Sequence, residues 1–181
     1  FLNHSRYLPD RRDLNRSFPG SPAGPLSSRL AHQVFTHIVR RCQYGIDLHT
    51  ASAHKVNVPH VRADLRGKKA RRLALAFGTE VVRDDQAVKG SLRAAAHARG
   101  IPVLTYEGGE PLRFERHIVE RGLEGILNVM SDLGMIDRAR TRPHFQLVAR
   151  KTAWVRADGG GILDLRARPG DLVRAGEEIG V

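Results

Sequence analysis

The chain has 181 residues, a formal net charge of +11, one Cys, 41% apolar and 27% charged residues. The length suits one domain or one domain plus a small second unit. The single Cys42 excludes a disulfide framework and a thiolate zinc cluster. No apolar run reaches the roughly 20 residues of a membrane helix, and the polar stretch from Phe1 to Leu14 is not a signal peptide. Of the 30 basic residues, 25 are Arg and 5 are Lys, scattered as short doublets such as Arg11-Arg12 and Lys68-Lys69. Nucleic-acid binders cluster their basic residues and carry stacking aromatics. With 6% aromatics and no basic stripe, no specific nucleic-acid partner is expected.

In chain order, Phe1–Gly24 reads as loop, rich in Asn, Asp, Pro and Gly. Leu26–Cys42 has helical spacing at Leu30, Val34 and Ile38, with Ser27-Ser28 as its expected cap. Tyr44–Leu48 predicts a buried strand that presents His49 at its end, and Val56–Val61 a second extended segment. Lys68–Phe77 predicts a basic amphipathic helix, Gly78–Val82 a short strand and Ser91–Arg99 an Ala-rich helix stopped by Gly100. Ile101–Thr105 predicts a strand, followed by Tyr106-Glu107-Gly108-Gly109. Arg113–Leu133 predicts a long amphipathic helix stopped by Gly134.

This alternation predicts an α/β domain with a mixed, mostly parallel sheet flanked by helices. The expected divisions are a partial catalytic domain over 1–140, a linker or connecting strand over 141–151, and a partial β domain over 152–181. The last rests on short alternating runs between Gly-rich and Pro-Gly-Asp turns.

Four segments carry chemistry. In Asp13–Gly20, Asn15 and Arg16 are either solvated turn residues or a carboxylate clamp, since Arg offers a planar bidentate fork. In Asp47-Leu48-His49, strand alternation puts Asp47 and His49 on one face, the arrangement of a metal-binding His with an outer carboxylate. One His alone does not hold zinc, because a catalytic site uses three protein ligands. Glu107 reads either as a turn residue or as a carboxylate for proton transfer. His117 and Glu120 sit at H-x-x-E spacing and are read as a surface ion pair, and the remaining histidines as surface or core residues.

Taken together, RY-LPD-DLNRSFPG, IDLHT, TYEGG and the terminal WVRA-GGGI-PGD-V-AG-IG resemble the succinylglutamate desuccinylase/aspartoacylase family of zinc-dependent deacylases. The resemblance implies a zinc-carboxypeptidase-like fold and hydrolysis of the amide of an N-acyl amino acid. It also implies a truncated, barrel-sandwich-like β domain at the end. By resemblance His49 is one of three zinc ligands, Asn15 and Arg16 grip the substrate carboxylate, Arg6 stabilises the oxyanion, and Glu107 is the general base and acid. The family's other two ligands lie in a His-x-x-Glu motif ahead of DLNR, whereas here His4 is followed three residues on by Tyr7. The chain therefore reads as a piece whose front end lies upstream of Phe1, and its activity alone is in question.

The implied cofactor is one zinc ion in the intact protein, and the implied partner is a small N-acyl amino acid or related carboxylate. No membrane is expected, a homo-oligomer is compatible, and the lone Cys fits a cytoplasmic setting. The alternatives are a carboxypeptidase acting on peptides and a metal-free carboxylate-binding or interaction module. No Lys follows Lys151, so the tail is not expected to carry a covalently attached cofactor.

Overall fold

The computed structural model describes residues 5–181; His4, one of the histidines assigned to surface or core, lies outside the described residues. The first helix, α1, runs over Leu26–His37, and β1 (Gly45–His49) and β2 (Asn57–Ala63) follow. Next come α2 (Lys68–Phe77), β3 (Val81–Asp84), α3 (Leu92–His97), β4 (Val103–Gly109), α4 (Arg116–Asp132) and β5 (Leu147–Ala149). The five strands form one sheet in the order β1-β4-β2-β3-β5. Three neighbouring pairs are parallel, and β2 runs antiparallel to β4, so the sheet is mixed and mostly parallel.

β4, second from the β1 edge of the sheet, is the strand beside the site. The sequence ends it at Thr105, but the structure carries it through Gly109, and all seven residues are buried. The physical reason is pairing on both sides: β1 supports it as far as Glu107, and β2 as far as Gly109. Glu107 is therefore a mid-sheet residue, not a turn residue.

One face of the sheet is apolar. Val61, Ala63, Val82, Leu104 and Tyr106 pack with Leu73, Ala74 and Phe77 of α2 and with Ile118 and Val129 of α4. Phe77 and Tyr106 stack with ring centroids 5.4 Å apart. A Cβ on Gly125 would lie 2.0 Å from the Phe77 ring, so glycine here lets α4 sit directly on it. The Tyr106 hydroxyl donates to the Ile118 carbonyl at 2.9 Å, and burial pushes its pKa up to about 12.

The helix ends show which local rules held. Gly78, at φ +88°, closes α2 in the left-handed region, and Gly134, at φ +71°, follows α4. The sequence caps the first helix with Ser27-Ser28 and extends it to Cys42. Instead the cap comes from far away: Asp10 Oδ2 accepts from the Ser27 amide at 2.7 Å. The helix stops at His37, and a separate 3-10 turn covers Val39–Arg41. The expected His117–Glu120 pair is replaced by Arg116 Nε donating to Glu120 Oε1 at 2.7 Å, four residues on, while His117 points to solvent.

Residues 152–181 form no named strand among the described residues. Their order comes from an isolated bridge between Leu165 and Gly180 and from paired bonds between Asp164 and Val181 at 2.7 and 3.0 Å. Trp154, Ile162 and Leu172 are exposed there.

Candidate functional site

The opposite face of the sheet is polar. His49, Glu107 and His60 are register partners across β1, β4 and β2 and form one row. Partners in register share a face, and side chains two residues apart share it too. A second row therefore holds Asp47, Thr105 and Arg62, continuing to Arg83 on β3.

At the β1 edge, His49 Nε2 and Asp47 Oδ2 are 2.9 Å apart. The Asp47 bond raises the His49 pKa above its ordinary value, and the nearby Glu107 charge adds to this against partial burial. The bond engages Nε2 and leaves Nδ1 as the nitrogen able to take a metal, the role expected of an outer carboxylate. At the β2 side, His60 Nδ1 lies 2.8 Å from the Val58 carbonyl and so carries the proton. Burial lowers the His60 pKa, so the ring is favoured as neutral.

Glu107 is 7% exposed, and both of its oxygens are held. Arg62 Nη1 donates to Oε1 and Asn57 Nδ2 donates to Oε2, each at 3.0 Å. Arg62 also donates to Asp85 Oδ2 from Nε at 2.9 Å and from Nη2 at 2.5 Å. Burial would lower the Arg62 pKa, but Asp85 and then Glu107 more than offset it.

The loop before α1 carries Arg6, Asn15 and Arg16. Arg6 bonds Asp13 Oδ2 from Nε at 2.8 Å and from Nη2 at 2.7 Å, while Asp13 Oδ1 accepts from the Asn15 amide at 2.8 Å. Asn15 Oδ1 accepts from the Leu92 amide at 2.8 Å, docking the loop on the start of α3. That bond uses the Asn15 oxygen and leaves its NH2 as a donor. Arg16 is exposed and donates from Nη1 to the Asn15 carbonyl at 2.6 Å. Gly90, at φ +80°, lets the chain ahead of α3 pass against Arg16, whose carbonyl oxygen would lie 2.5 Å from a Cβ.

The structure thus brings His49 and Glu107 together on adjacent strands. Arg6, Asn15 and Arg16 form a second group on the loop, and none of their side-chain bonds reaches Glu107 or His49 among the described residues. Sequence reasoning missed Asn57, His60, Arg62 and Asp85. The available signal was alternation in Val58–Ala63: His60 and Arg62 on one face, Val61 and Ala63 on the other.

A zinc ion fits these residues only in part. His49 and its Asp47 partner make one ligand position with the right chemistry. No group of three His, Cys, Asp or Glu side chains able to hold a metal occurs among the described residues. No helix among them is long and apolar enough to cross a membrane.

The fold is that of solved proteins of the succinylglutamate desuccinylase/aspartoacylase type. The chain aligns over 99% of its length with a succinylglutamate desuccinylase/aspartoacylase from Rhodobacter sphaeroides, at 29% identity and a TM-score of 0.82. It aligns equally completely with a succinylglutamate desuccinylase from Silicibacter sp. TM1040, at 20% identity and TM-score 0.84. The product-bound ectoine utilization protein of Ruegeria pomeroyi matches over the same share, at 21% identity and TM-score 0.86. The chain spans 58% of the length of each. No functionally curated protein matches it. The profile of the succinylglutamate desuccinylase/aspartoacylase catalytic domain matches residues 1–133, and the chain belongs to that family.

Proposed function

We propose that this chain acts in a zinc-dependent deacylase that hydrolyses the amide bond of an N-acyl amino acid. The observation that supports this most is the His49–Glu107 pair: a metal-competent imidazole and a carboxylate, side by side on the polar face of a sheet with the family's fold. His49 would be one zinc ligand through Nδ1, with the other two supplied by a His-x-x-Glu motif outside residues 1–181. A bound zinc supplies a water whose pKa falls from about 15.7 toward about 7.

Glu107 takes the proton from the attacking water and passes it to the leaving amine. Its oxygens each accept one hydrogen bond, so each keeps a lone pair for that proton. Asn15, through its NH2, and Arg16, through its exposed guanidinium, hold the substrate carboxylate and set its orientation. Arg6 stabilises the oxyanion once released from Asp13; a donor of this kind is worth about 2.7–4 kcal/mol of barrier. Residues 1–140 form the catalytic unit, 141–151 are a connecting segment whose strand β5 joins the sheet of that unit beside β3, and 152–181 are part of a barrel-sandwich-like β domain. The setting is the cytoplasm.

The test is turnover of N-acyl amino acids by the zinc-loaded protein, with peptides as competitors. Arg16→Ala should raise KM about tenfold or more with kcat changed far less, as expected when a carboxylate contact is lost. Release of C-terminal residues from peptides in preference to deacylation would replace the reading with a carboxypeptidase. Unchanged KM in Arg16→Ala would remove Arg16 from the clamp.

A further inference from the structure

Glu107 is the end of a chain of charges whose other members lie outside the sequence segments singled out above. Arg62 reaches it diagonally from β2, since the register partner of Arg62 on β4 is Thr105. Arg62 divides its guanidinium: Nη1 goes to Glu107, while Nε and Nη2 go to Asp85. Asp85 Oδ2 also accepts from Arg93 Nη2 at 2.9 Å, and Arg93 Nη1 donates to the Asp85 carbonyl at 2.9 Å. Arg93 is 7% exposed on α3, the helix on which the Asn15 loop docks. Two carboxylates and two guanidiniums thus alternate from β4 through β2 and the end of β3 to α3, and Arg83 Nη2 lies 3.7 Å from the other Asp85 oxygen, which leaves the group with one positive charge in excess.

We infer that Arg62 is a positioning residue for Glu107, aimed by Asp85 and Arg93, so that the carboxylate is held in one orientation for proton transfer. This rests on the reading of Glu107 as the base. Three features favour positioning over a plain structural ion pair. The Arg62 and Asn57 donors meet different oxygens, which fixes the carboxylate against rotation about its terminal bond. Arg62 cannot swing away without losing two bonds to Asp85. Asp85 in turn is fixed by the buried Arg93. A lysine offers one point of charge and cannot bridge the two carboxylates as a planar fork does.

The experiment compares Arg62→Ala, Arg62→Lys, Asp85→Asn and Glu107→Gln in the zinc-loaded protein, reading kcat, KM and zinc content. Arg62→Ala should lower kcat about 100-fold, the lower end of what a general base contributes, with KM and zinc content nearly unchanged. Millimolar guanidinium should restore part of that kcat, and Arg62→Lys and Asp85→Asn should fall between Arg62→Ala and wild type. Because Arg62 acts through Glu107, adding Arg62→Lys to Glu107→Gln should cost nothing further.

An unchanged kcat in Arg62→Ala beside a dead Glu107→Gln would overturn the positioning role alone. Losses that simply multiply in the double variant would do the same. Full turnover by Glu107→Gln would instead sink the base assignment. A readout that needs no turnover is the crystal structure of Arg62→Lys, the variant that keeps the buried charge. A Glu107 carboxylate that leaves Asn57 or splits between rotamers supports the inference; one unmoved overturns it.

Discussion

Along β4, Leu104 and Tyr106 join the apolar cluster with α2 and α4, whereas Thr105 and Glu107 face the other way, toward charge. The two faces are made by one strand and solve opposite problems. The apolar face is held by close packing, as in the stacked Phe77 and Tyr106 rings and the contact of Phe77 with Gly125. The polar face is held by directed bonds, as in Asp85 between Arg62 and Arg93. Stability is concentrated on the first and the candidate chemistry on the second. A substitution on one face should therefore move a different observable from a substitution on the other.

The largest stability effect should come from the apolar face. Phe77, 1% exposed, lies under α4, and Phe77→Ala should lower unfolding stability by about 3–5 kcal/mol in a urea titration. A loss under about 1 kcal/mol would mean that this face is not the main core.

A smaller and pH-dependent effect belongs to the polar face. Burial alone would raise the Asp85 pKa, but Arg62 and Arg93 outweigh it and hold the carboxyl below its ordinary 3.8. Its stabilisation is complete above that ordinary value and is lost as pH falls through the lower folded value. Asp85→Asn should be about 1.5–3 kcal/mol less stable near neutral pH, the range for hydrogen bonds to charged groups. The gap should close as the pH drops below about 4. A gap that stays constant with pH would contradict the network.

The smallest effect should lie off both faces. Asp10 caps α1 from the preceding loop, and Asp10→Ala should lower the thermal or urea unfolding midpoint by a small but measurable amount. No change would mean that the cap is replaced by water.

Much of the apolar face was legible in the sequence, because helical spacing is a local property. Lys68–Phe77 is helical as predicted, and Gly134 follows α4 in the left-handed conformation that ends a helix. β1 and the shared face of Asp47 and His49 follow from a short apolar run and alternation, but the strand expected to be buried lies at the sheet edge with Leu48 exposed, because β4 covers only one side of it. What the sequence did not carry is tertiary. The length of β4 depends on two partner strands, and the α1 cap on a residue 17 positions from its target. Arg62 meets Glu107 across 45 positions and Asp85 across 23, so no local pattern marks their pairing. The loop motif was visible, but its docking through Asn15 on Leu92, 77 positions away, was not.

In the proposed reaction Glu107 moves the proton beside a metal held by His49. The measurement that tests it most directly is the Glu107→Gln variant, assayed for zinc content and N-acyl amino acid turnover together. Zinc should stay at the wild-type level while kcat falls about 100-fold or more. Wild-type turnover in Glu107→Gln with zinc still bound would contradict it.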